Sequence, residues 1–497
     1  MKVLYIAAEC KPFSKTGGVG DVAGELPVAL KQQGVDIEIV TPWYGSITLP
    51  GADIPFNGRA ERAGIVTTDV KGVPVNFIRN SAYFETDYSR GLVRPPFENP
   101  DLFKKDYSRP YVDSGKIPFY DDALRFSFFS EACLELIRRK KPDVVHINDW
   151  VLGYLFGYMA LEKMPQKRVL TIHNIGYQGN IGRESIKGWN IERIAKHKSV
   201  GKLFADPRPK WKSVNALRLA MELADQVNTV SPTYKREMTE AENPARYFEG
   251  GKGLEKVSQR LDDAGKLHGI LNGFEYKSDP TDAAFEKLIA EKSKTKKSLS
   301  RGFAKPKGLL LGFVGRAVEQ KFKLLKESLD GKCVLEHILE IPNVNIALVA
   351  TGMKEYEDFL HGFVGRSNFS ATLEFAPGKA QEISLGADVF LMPSLFEPCG
   401  ITQMESLSCA TPPLVRWTGG LVDTVKPHTD PKGTGFGFDG RTAREVLENL
   451  VQAVKAAERM YREQPEKFLD MQKRGFKQRF LWSTAAKEYV AKLYRSR

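Results

Sequence analysis

Two sets of short apolar runs constrain the fold of this chain more than any other feature of its sequence. Each run holds a few β-branched or aliphatic residues, and the segments between successive runs are long enough for helices. The first set is 3–8, 37–40, 144–147, 169–172, 226–230 and 269–271, and the second is 309–314, 345–350, 372–375, 389–392 and 413–415. This alternation is typical of a parallel sheet with crossover helices. The sequence therefore predicts an α/β protein with two Rossmann-like, doubly wound domains.

The length of 497 residues also favours two domains, because one hydrophobic core rarely serves so long a chain. Between the two sets of runs, segment 275–307 has few apolar residues and many lysines and serines. We predict a linker there, between a first domain at 1–274 and a second at 308–478, with a cleft between them. A last amphipathic segment, 479–497, is predicted to form a further helix.

The net charge of +12 favours anionic partners without naming one. The densest basic run, Lys292–Lys297, has no interleaved aromatic residues, so we interpret it as a solvated linker and expect no nucleic-acid partner. The longest apolar stretch, 151–161, is too short to cross a bilayer, so we expect no membrane partner. Five cysteines without paired spacing indicate reduced thiols in the cytoplasm, or in a plastid if a transit peptide was removed.

Two glycine-bearing turns lie close together after predicted strands of the second domain. Glu397 and Glu405 stand eight residues apart after the apolar run 388–394, and Thr418-Gly419-Gly420 opens a second helix-like stretch. Glycines at such turns let backbone amides approach an anion, and ligands bind where strands of a parallel sheet hand over to helices. Two such turns predict a diphosphate site. Hydrolysis ranks lower, because its two carboxylates must face each other across a cleft.

A third glycine-rich turn, Lys15-Thr16-Gly17-Gly18-Val19-Gly20-Asp21, follows the first predicted strand. Gly18-x-Gly20-x-x-Ala23 formally satisfies the dinucleotide fingerprint, which would indicate hydride transfer. Its first glycine lies well beyond the strand, and the second strand ends in Thr41-Pro42 with no carboxylate for a ribose. We therefore favour phosphate binding by this turn.

The chain resembles the bacterial glycogen and plant starch synthases, glycosyltransferases of family 5, in blocks that run from end to end. The blocks are KTGGVGDVAGELP at 15–27, HINDW at 146–150, TIHNIGYQG at 171–179, TVSPTY at 229–234, GILNG at 269–273, VGRAVEQK at 314–321, FEPCGITQMESL at 396–407, RWTGGLVDTV at 416–425 and FLWSTAAKEYVAKLY at 480–494.

The resemblance implies the GT-B fold, in which the two domains face each other across a nucleotide-sugar cleft and the last helix returns to the first domain. It implies retaining α-glucosyl transfer from ADP-glucose, or less often UDP-glucose, to the non-reducing end of an α-1,4-glucan. No metal or other cofactor is expected, because cationic side chains and backbone amides would stabilise the leaving diphosphate. We expect a monomer or a weak homo-oligomer.

The resemblance also assigns roles to single residues. The catalytic set is His173 near the reacting carbon of the glucose, Arg316 and Lys321 at the diphosphate, and Glu397 on the sugar hydroxyls. The substrate-binding set that it implies is Lys15, Gly17, Gly18, Asp21, Asp149, Asn272, Cys399, Gly400, Ile401, Glu405, Thr418, Gly419 and Gly420. His146 resembles a further position near the acceptor.

Departures from the family pattern keep two alternatives open. Val151 replaces a polar residue near the acceptor, and Phe322 replaces a glycine, which predicts a large ring beside the diphosphate site. A weakly active glucan-binding or regulatory homologue, or a glucosyltransferase with a small acceptor, would also fit these residues. Segment 91–118, rich in proline and scattered aromatic residues, is predicted to be a long excursion from the first domain.

Overall fold

The structure is a computed structural model that describes residues 1–44, 54–57, 62–80, 83–84, 120–208 and 212–496. The predicted excursion at 91–118 lies outside the described residues.

The first half alternates strands with helices, as the apolar runs predict. Its strands are β1 Lys2–Ile6, β2 Asp36–Pro42, β3 Ile54–Asn57, β4 Arg62–Val70, β5 Val73–Arg79, β6 Val144–Asn148, β7 Lys167–Ile172, β8 Asn180–Gly182, β9 Ser213–Asn215, β10 Gln226–Thr229 and β11 Leu267–Gly269. Its α-helices are α1 Gly18–Gln32, α2 Tyr120–Lys140, α3 Gly153–Leu161, α4 Glu192–Lys196, α5 Val200–Phe204, α6 Ala216–Leu223, α7 Pro232–Glu237 and α8 Glu255–Asp263. Short 3-10 helices span Trp150–Leu152, Arg183–Ile186 and Pro244–Arg246.

Within the described residues, the first sheet runs in the order β11-β10-β7-β6-β1-β2-β5-β4-β3. All of its pairs are parallel except β3 with β4 and β4 with β5. The carboxyl ends of β1, β6, β7 and β10 therefore meet at one edge of the sheet. The predicted run 269–271 is displaced, because the strand ends at Gly269, where a side chain would lie 2.5 Å from the Ser231 carbonyl oxygen.

The second half repeats the alternation. Its strands are β12 Leu309–Ala317, β13 Ser328–Leu329, β14 Lys332–Cys333, β15 Val344–Gly352, β16 Phe369–Thr372, β17 Val389–Met392, β18 Pro413–Arg416 and β19 Phe436–Phe438. Its α-helices are α9 Asp282–Leu299, α10 Glu319–Lys326, α11 Val334–Leu339, α12 Lys354–His361, α13 Pro377–Gly386, α14 Thr402–Ser408, α15 Gly420–Thr424, α16 Ala443–Glu463, α17 Pro465–Lys477 and α18 Trp482–Glu488, which continues as a π-helix, Tyr489–Tyr494. A 3-10 helix spans Ser300–Gly302.

The second sheet, in the described part of the chain, is parallel in the order β16-β15-β12-β17-β18-β19. Its core is a separate apolar cluster built from these strands and from α10, α11 and α16. The run predicted at 372–375 is also displaced, because β16 ends at Thr372 and Phe375 stands 86% exposed before α13.

The lysine run of segment 275–307 does not form a solvated linker. It lies on α9, and Lys292 is only 5% exposed. The Lys292 ammonium donates to the Leu385 carbonyl oxygen at 2.8 Å and to Thr411 Oγ1 at 2.6 Å, and Lys296 pairs with Asp388 at 2.5 Å. The interpretation from charge density was wrong here, because buried carbonyl oxygens and a carboxylate of the second domain bind these ammonium groups.

The last helix packs on the first domain. Ala486, Tyr489 and Leu493 lie in the same apolar cluster as β1 and α1. Tyr494 meets His146 at 2.8 Å between the hydroxyl and Nδ1. His146 is fully buried, and burial lowers its pKa to about 3, so it joins the last helix to the sheet and does not face the cleft. In the described part of the chain no helix combines the length and the apolar character that a membrane crossing requires.

Candidate active site

Polar side chains follow adjacent strands at the carboxyl edge of the first sheet. His173 follows β7, and its backbone amide donates to Asp149 Oδ1 at 2.7 Å, just beyond β6. Its ring Nε2 lies 2.9 Å from Asn148 Oδ1, which also accepts from the Tyr5 hydroxyl at 3.0 Å. Because an amide oxygen only accepts, Nε2 carries the proton and the ring orientation is fixed.

Burial sets the charge of these groups. It raises the pKa of Asp149 to about 7, against backbone hydrogen bonds from His173 and Asn174 that lower it. It lowers the pKa of His173 to about 4, so the imidazole is neutral at pH 7. The carboxylate orients the histidine backbone, and the neutral ring is a poor proton donor.

The glycine turn of the first domain begins α1 and rests on a buried carboxylate. Glu9 Oε2 accepts from the backbone amides of Thr16 and Gly17. Lys15 lies at the surface of the turn and pairs with Asp21 at 2.7 Å. The turn therefore places the Lys15 ammonium at the surface beyond β1, while Glu9 already engages the amides of Thr16 and Gly17.

An ion pair marks the edge of the second sheet. Lys321, on α10, pairs with Glu397 Oε2 and lies 3.2 Å from Ser394 Oγ. Ser394 Oγ also donates to Glu397 Oε2 at 3.1 Å. Arg316 is the penultimate residue of β12, and its side chain is exposed at the same edge. Among the described residues no carboxylate pairs with it, so its guanidinium is available for an anion.

The two edges meet across the cleft. A side chain at Gly18 would lie 3.7 Å from Ile401 Cδ1 of the opposite domain. Burial raises the pKa of Glu405, while Lys277 of the connecting segment and Lys15 of the first domain lower it. Asn272 hydrogen-bonds to Cys399, whose pKa burial raises to about 12. The structure thus brings the Lys15 turn and Asn272 against the loop at 399–405. No described contact joins Arg316 or His173 directly to that loop.

The turn at Thr418-Gly419-Gly420 differs from its predicted arrangement. The Gly419 amide donates to Glu237 Oε1 at 2.8 Å, and the Gly420 amide donates to the carbonyl oxygens of Glu397 and Pro398 at 3.0 and 3.2 Å. Protein acceptors already engage the amides that were expected to bind an anion. The turn supports the backbone of Glu397 instead.

The two departures from the family pattern do not reach the site. Phe322 is fully buried, and its ring centroid lies 4.6 Å from that of Phe313 in the core of the second domain. Val151 is buried in the core of the first domain. The expectation of a large ring beside the diphosphate was wrong, because Phe322 lies on the face of α10 that packs against the sheet, whereas Lys321 lies next to Glu397.

Sequence reasoning missed four residues of this region: Glu9, Glu237, Ser394 and Phe375. Each depends on a long-range contact or on exposure, so local patterns gave no signal beyond the proximity of Glu9 and Ser394 to motifs. Among the described residues, no three histidine, cysteine or carboxylate side chains are grouped as a metal site would require.

Two largely parallel sheets, whose edges bring the Lys15 turn against the loop at 399–405, are the arrangement of a two-domain glycosyltransferase. The family description "Starch synthase catalytic domain" matches residues 2–260, and "Glycosyl transferases group 1" matches 296–468. The chain is 33% identical to the glycogen synthase of Geotalea daltonii, with 100% of this chain and 98% of that protein covered. It is 32% identical to the glycogen synthase of Clostridium novyi over 99% of this chain and 98% of that protein.

One solved structure is also similar over nearly its whole length. The catalytic domain of starch synthase IV from Arabidopsis thaliana, bound to ADP and acarbose, superposes with a TM-score of 0.77 and 26% identity, covering 99% of this chain and 98% of that chain. The chain belongs to the glycogen and starch synthase family, and the predicted GT-B fold is confirmed. It is a glycosyltransferase enzyme.

Proposed function

We propose that this enzyme is a retaining α-glucosyltransferase that moves glucose from ADP-glucose to the non-reducing end of an α-1,4-glucan. One observation carries the proposal: the Lys15 turn of the first domain lies against the loop after Glu397, where Lys321 and exposed Arg316 share one sheet edge. Cations of both domains, Lys15 on one side and Lys321 and Arg316 on the other, would then neutralise a diphosphate bound between these edges. We assign the acceptor side to residues 1–274 and the nucleotide-sugar side to residues 308–478.

Glu397 and Lys321 have complementary parts in this proposal. Their ion pair holds the carboxylate at the position where sugar hydroxyls would donate to it. As the bond between the sugar carbon and the phosphate oxygen breaks, Lys321 and Arg316 neutralise the charge that grows on the diphosphate.

The state of His173 bears on the proton balance of the transfer. With its pKa near 4 and its Nε2 proton held by Asn148, the ring is not an imidazolium donor at pH 7. In the mechanism that the family resemblance implies, the acceptor hydroxyl gives its proton to the departing diphosphate on the same face, while its oxygen bonds to the sugar carbon. The configuration is retained by this route, as the family resemblance implies.

The donor base has a docking surface in this proposal. Phe375 exposes its ring just after β16, at the ligand edge of the second sheet. A flat apolar ring at that edge suits stacking on a nucleobase. The ADP that the Arabidopsis catalytic domain binds supports an adenosine-based donor over a uridine-based donor.

The test crosses labelled ADP-glucose and UDP-glucose with glycogen, maltose and sugar phosphates. We expect incorporation from ADP-glucose into glycogen that is lost in Glu397→Ala and kept in the control Glu382→Ala, which removes an exposed carboxylate from α13. Incorporation only into maltose or a sugar phosphate would identify a small-acceptor enzyme. Glycogen binding without incorporation from either donor would identify a glucan-binding homologue.

A further inference from the structure

A carboxylate of the first domain lies inside the glycine turn of the second. Glu237 is the last residue of α7. Its Oε1 accepts from the Gly419 amide at 2.8 Å and from Thr418 Oγ1 at 3.1 Å, and its Oε2 lies 3.3 Å from the same hydroxyl. None of the motif assignments gives this residue a role.

The turn that Glu237 holds is packed directly on the backbone of Glu397. Gly419 has φ of +47°, and a side chain there would lie 2.0 Å from the Glu397 carbonyl oxygen. At Gly420 a side chain would lie 2.2 Å from the Cys399 carbonyl oxygen, and the Gly420 amide bonds to Glu397. Because no space separates the two backbones, a displaced turn must displace Glu397 as well.

Helix α7 also contacts the loop after Glu397 through its amino-terminal end. Ser231, which caps α7, donates from Oγ to the Pro398 carbonyl oxygen at 2.6 Å. The Thr233 amide and hydroxyl donate to the Asp423 carboxylate at 2.8 and 2.9 Å. One short helix of the first domain therefore holds both the turn and the Pro398–Cys399 peptide of the second.

We propose that Glu237 is a positioning residue for glucosyl transfer, setting the backbone of Glu397 through the turn at 418–420. Glu237 fixes the turn and, through it, the Glu397 carboxylate that would grip the sugar, so docking of α7 contributes to assembly of the sugar site. This inference rests on the proposed role of Glu397.

The experiment compares Glu237→Ala and Glu237→Gln with a matched control, Glu240→Ala, which removes an exposed carboxylate just beyond α7. Calorimetry gives the affinities for ADP-glucose and for ADP, and steady-state incorporation of labelled glucose gives kcat. In Glu237→Ala we expect kcat to fall about 10- to 100-fold, as loss of a hydrogen bond to a charged group implies. The preference for ADP-glucose over ADP should fall by a similar factor, while ADP affinity changes less than about 2-fold, because Glu397 contacts the sugar and not the nucleotide.

Rescue separates positioning from general stability. Glu237→Gln should recover kcat to within about 5-fold, since its amide oxygen still accepts from Gly419. Asp423→Ala weakens the same interface without touching the turn, so it should lower the unfolding temperature and keep the affinity ratio.

Two results would overturn the proposal: an unchanged kcat and affinity ratio in folded Glu237→Ala, or an equal loss of the ratio in Asp423→Ala. An inactive wild-type chain would overturn the proposed function instead, whereas the affinity ratio needs no turnover and still tests Glu237.

Discussion

The sheet edges that the two domains contribute to the candidate site differ in charge. At the first edge, Asp149 and His173 are half-buried, and the loss of hydration pushes both toward their neutral forms. At the second, Arg316 is exposed, and Lys321 pairs with Glu397 where part of each side chain is accessible, 20% and 12% respectively. One edge is preorganised by hydrogen bonds, and the other presents charge.

The difference matches the demands of group transfer. A sugar and an acceptor hydroxyl carry no net charge, so fixed neutral donors and acceptors bind them at little electrostatic cost. A departing diphosphate develops negative charge, which accessible cations stabilise. Division of these tasks between two domains lets closure bring them together.

Removal of the Lys321 cation at the second edge should have the largest effect on activity. We expect Lys321→Ala to lower kcat by about 10³-fold, because it removes a cation from the leaving group and leaves Glu397 unpaired. The matched control is Lys323→Ala on the same helix, whose ammonium pairs with Glu319 at 2.7 Å. Steady-state incorporation of labelled glucose measures both. An equal loss of kcat in the two variants would show that the positive charge of α10 matters and that the position of Lys321 next to Glu397 does not.

Truncation of Phe322 should have the next largest effect, a loss of folding stability. We expect Phe322→Ala to cost about 3 kcal/mol of unfolding free energy through the cavity left in the core. The kcat of the folded fraction should stay within about 3-fold of wild type. Urea unfolding and an active-site titration measure the two quantities. A stable variant with tighter donor binding would instead place the ring beside the diphosphate.

The protonation of Asp149 at the first edge can be tested by the pH dependence of stability. The Asp149 pKa is about 7 in the folded chain against 3.8 as its ordinary value, so the folded state keeps a proton that the unfolded chain releases above about pH 4. The stability from this proton is greatest at low pH and is lost as pH rises through 7. From pH 5 to pH 8 the wild type should lose roughly 2.5 kcal/mol more than Asp149→Asn. Denaturant unfolding at both pH values measures this, and parallel losses would refute buried protonation.

The smallest effect concerns the exposed ring. Phe375→Ala should raise the KM for ADP-glucose about 10-fold with little change in kcat, because stacking on a base would help ground state and transition state alike. Leu469→Ala on α17 is the control, since it removes another exposed apolar side chain. An unchanged KM would mean that the base binds elsewhere.

Local sequence patterns predicted the strands and the motifs. They failed where contacts with residues distant in the chain determine the environment of a side chain. The apolar runs located most strands of both sheets, because buried parallel strands need continuous aliphatic residues whatever surrounds them. The solvated-linker interpretation of Lys292 failed, since its acceptors, Leu385 and Thr411, lie about a hundred residues away. The prediction that Phe322 lies beside the diphosphate was wrong for a similar reason. Phe322 and Lys321 are neighbours on α10, but one faces the core and the other faces Glu397.

The sequence by itself determined the two-sheet architecture, the family and the residues that stand after each strand, since these depend on period, composition and local motifs. Only the tertiary structure decided which of those residues meet. It paired Glu397 with Lys321, gave the amide of Gly419 to Glu237, and buried His146 against the last helix. Those outcomes depend on how two separately folded domains dock, and no local pattern encodes the distance between atoms that are far apart in the chain.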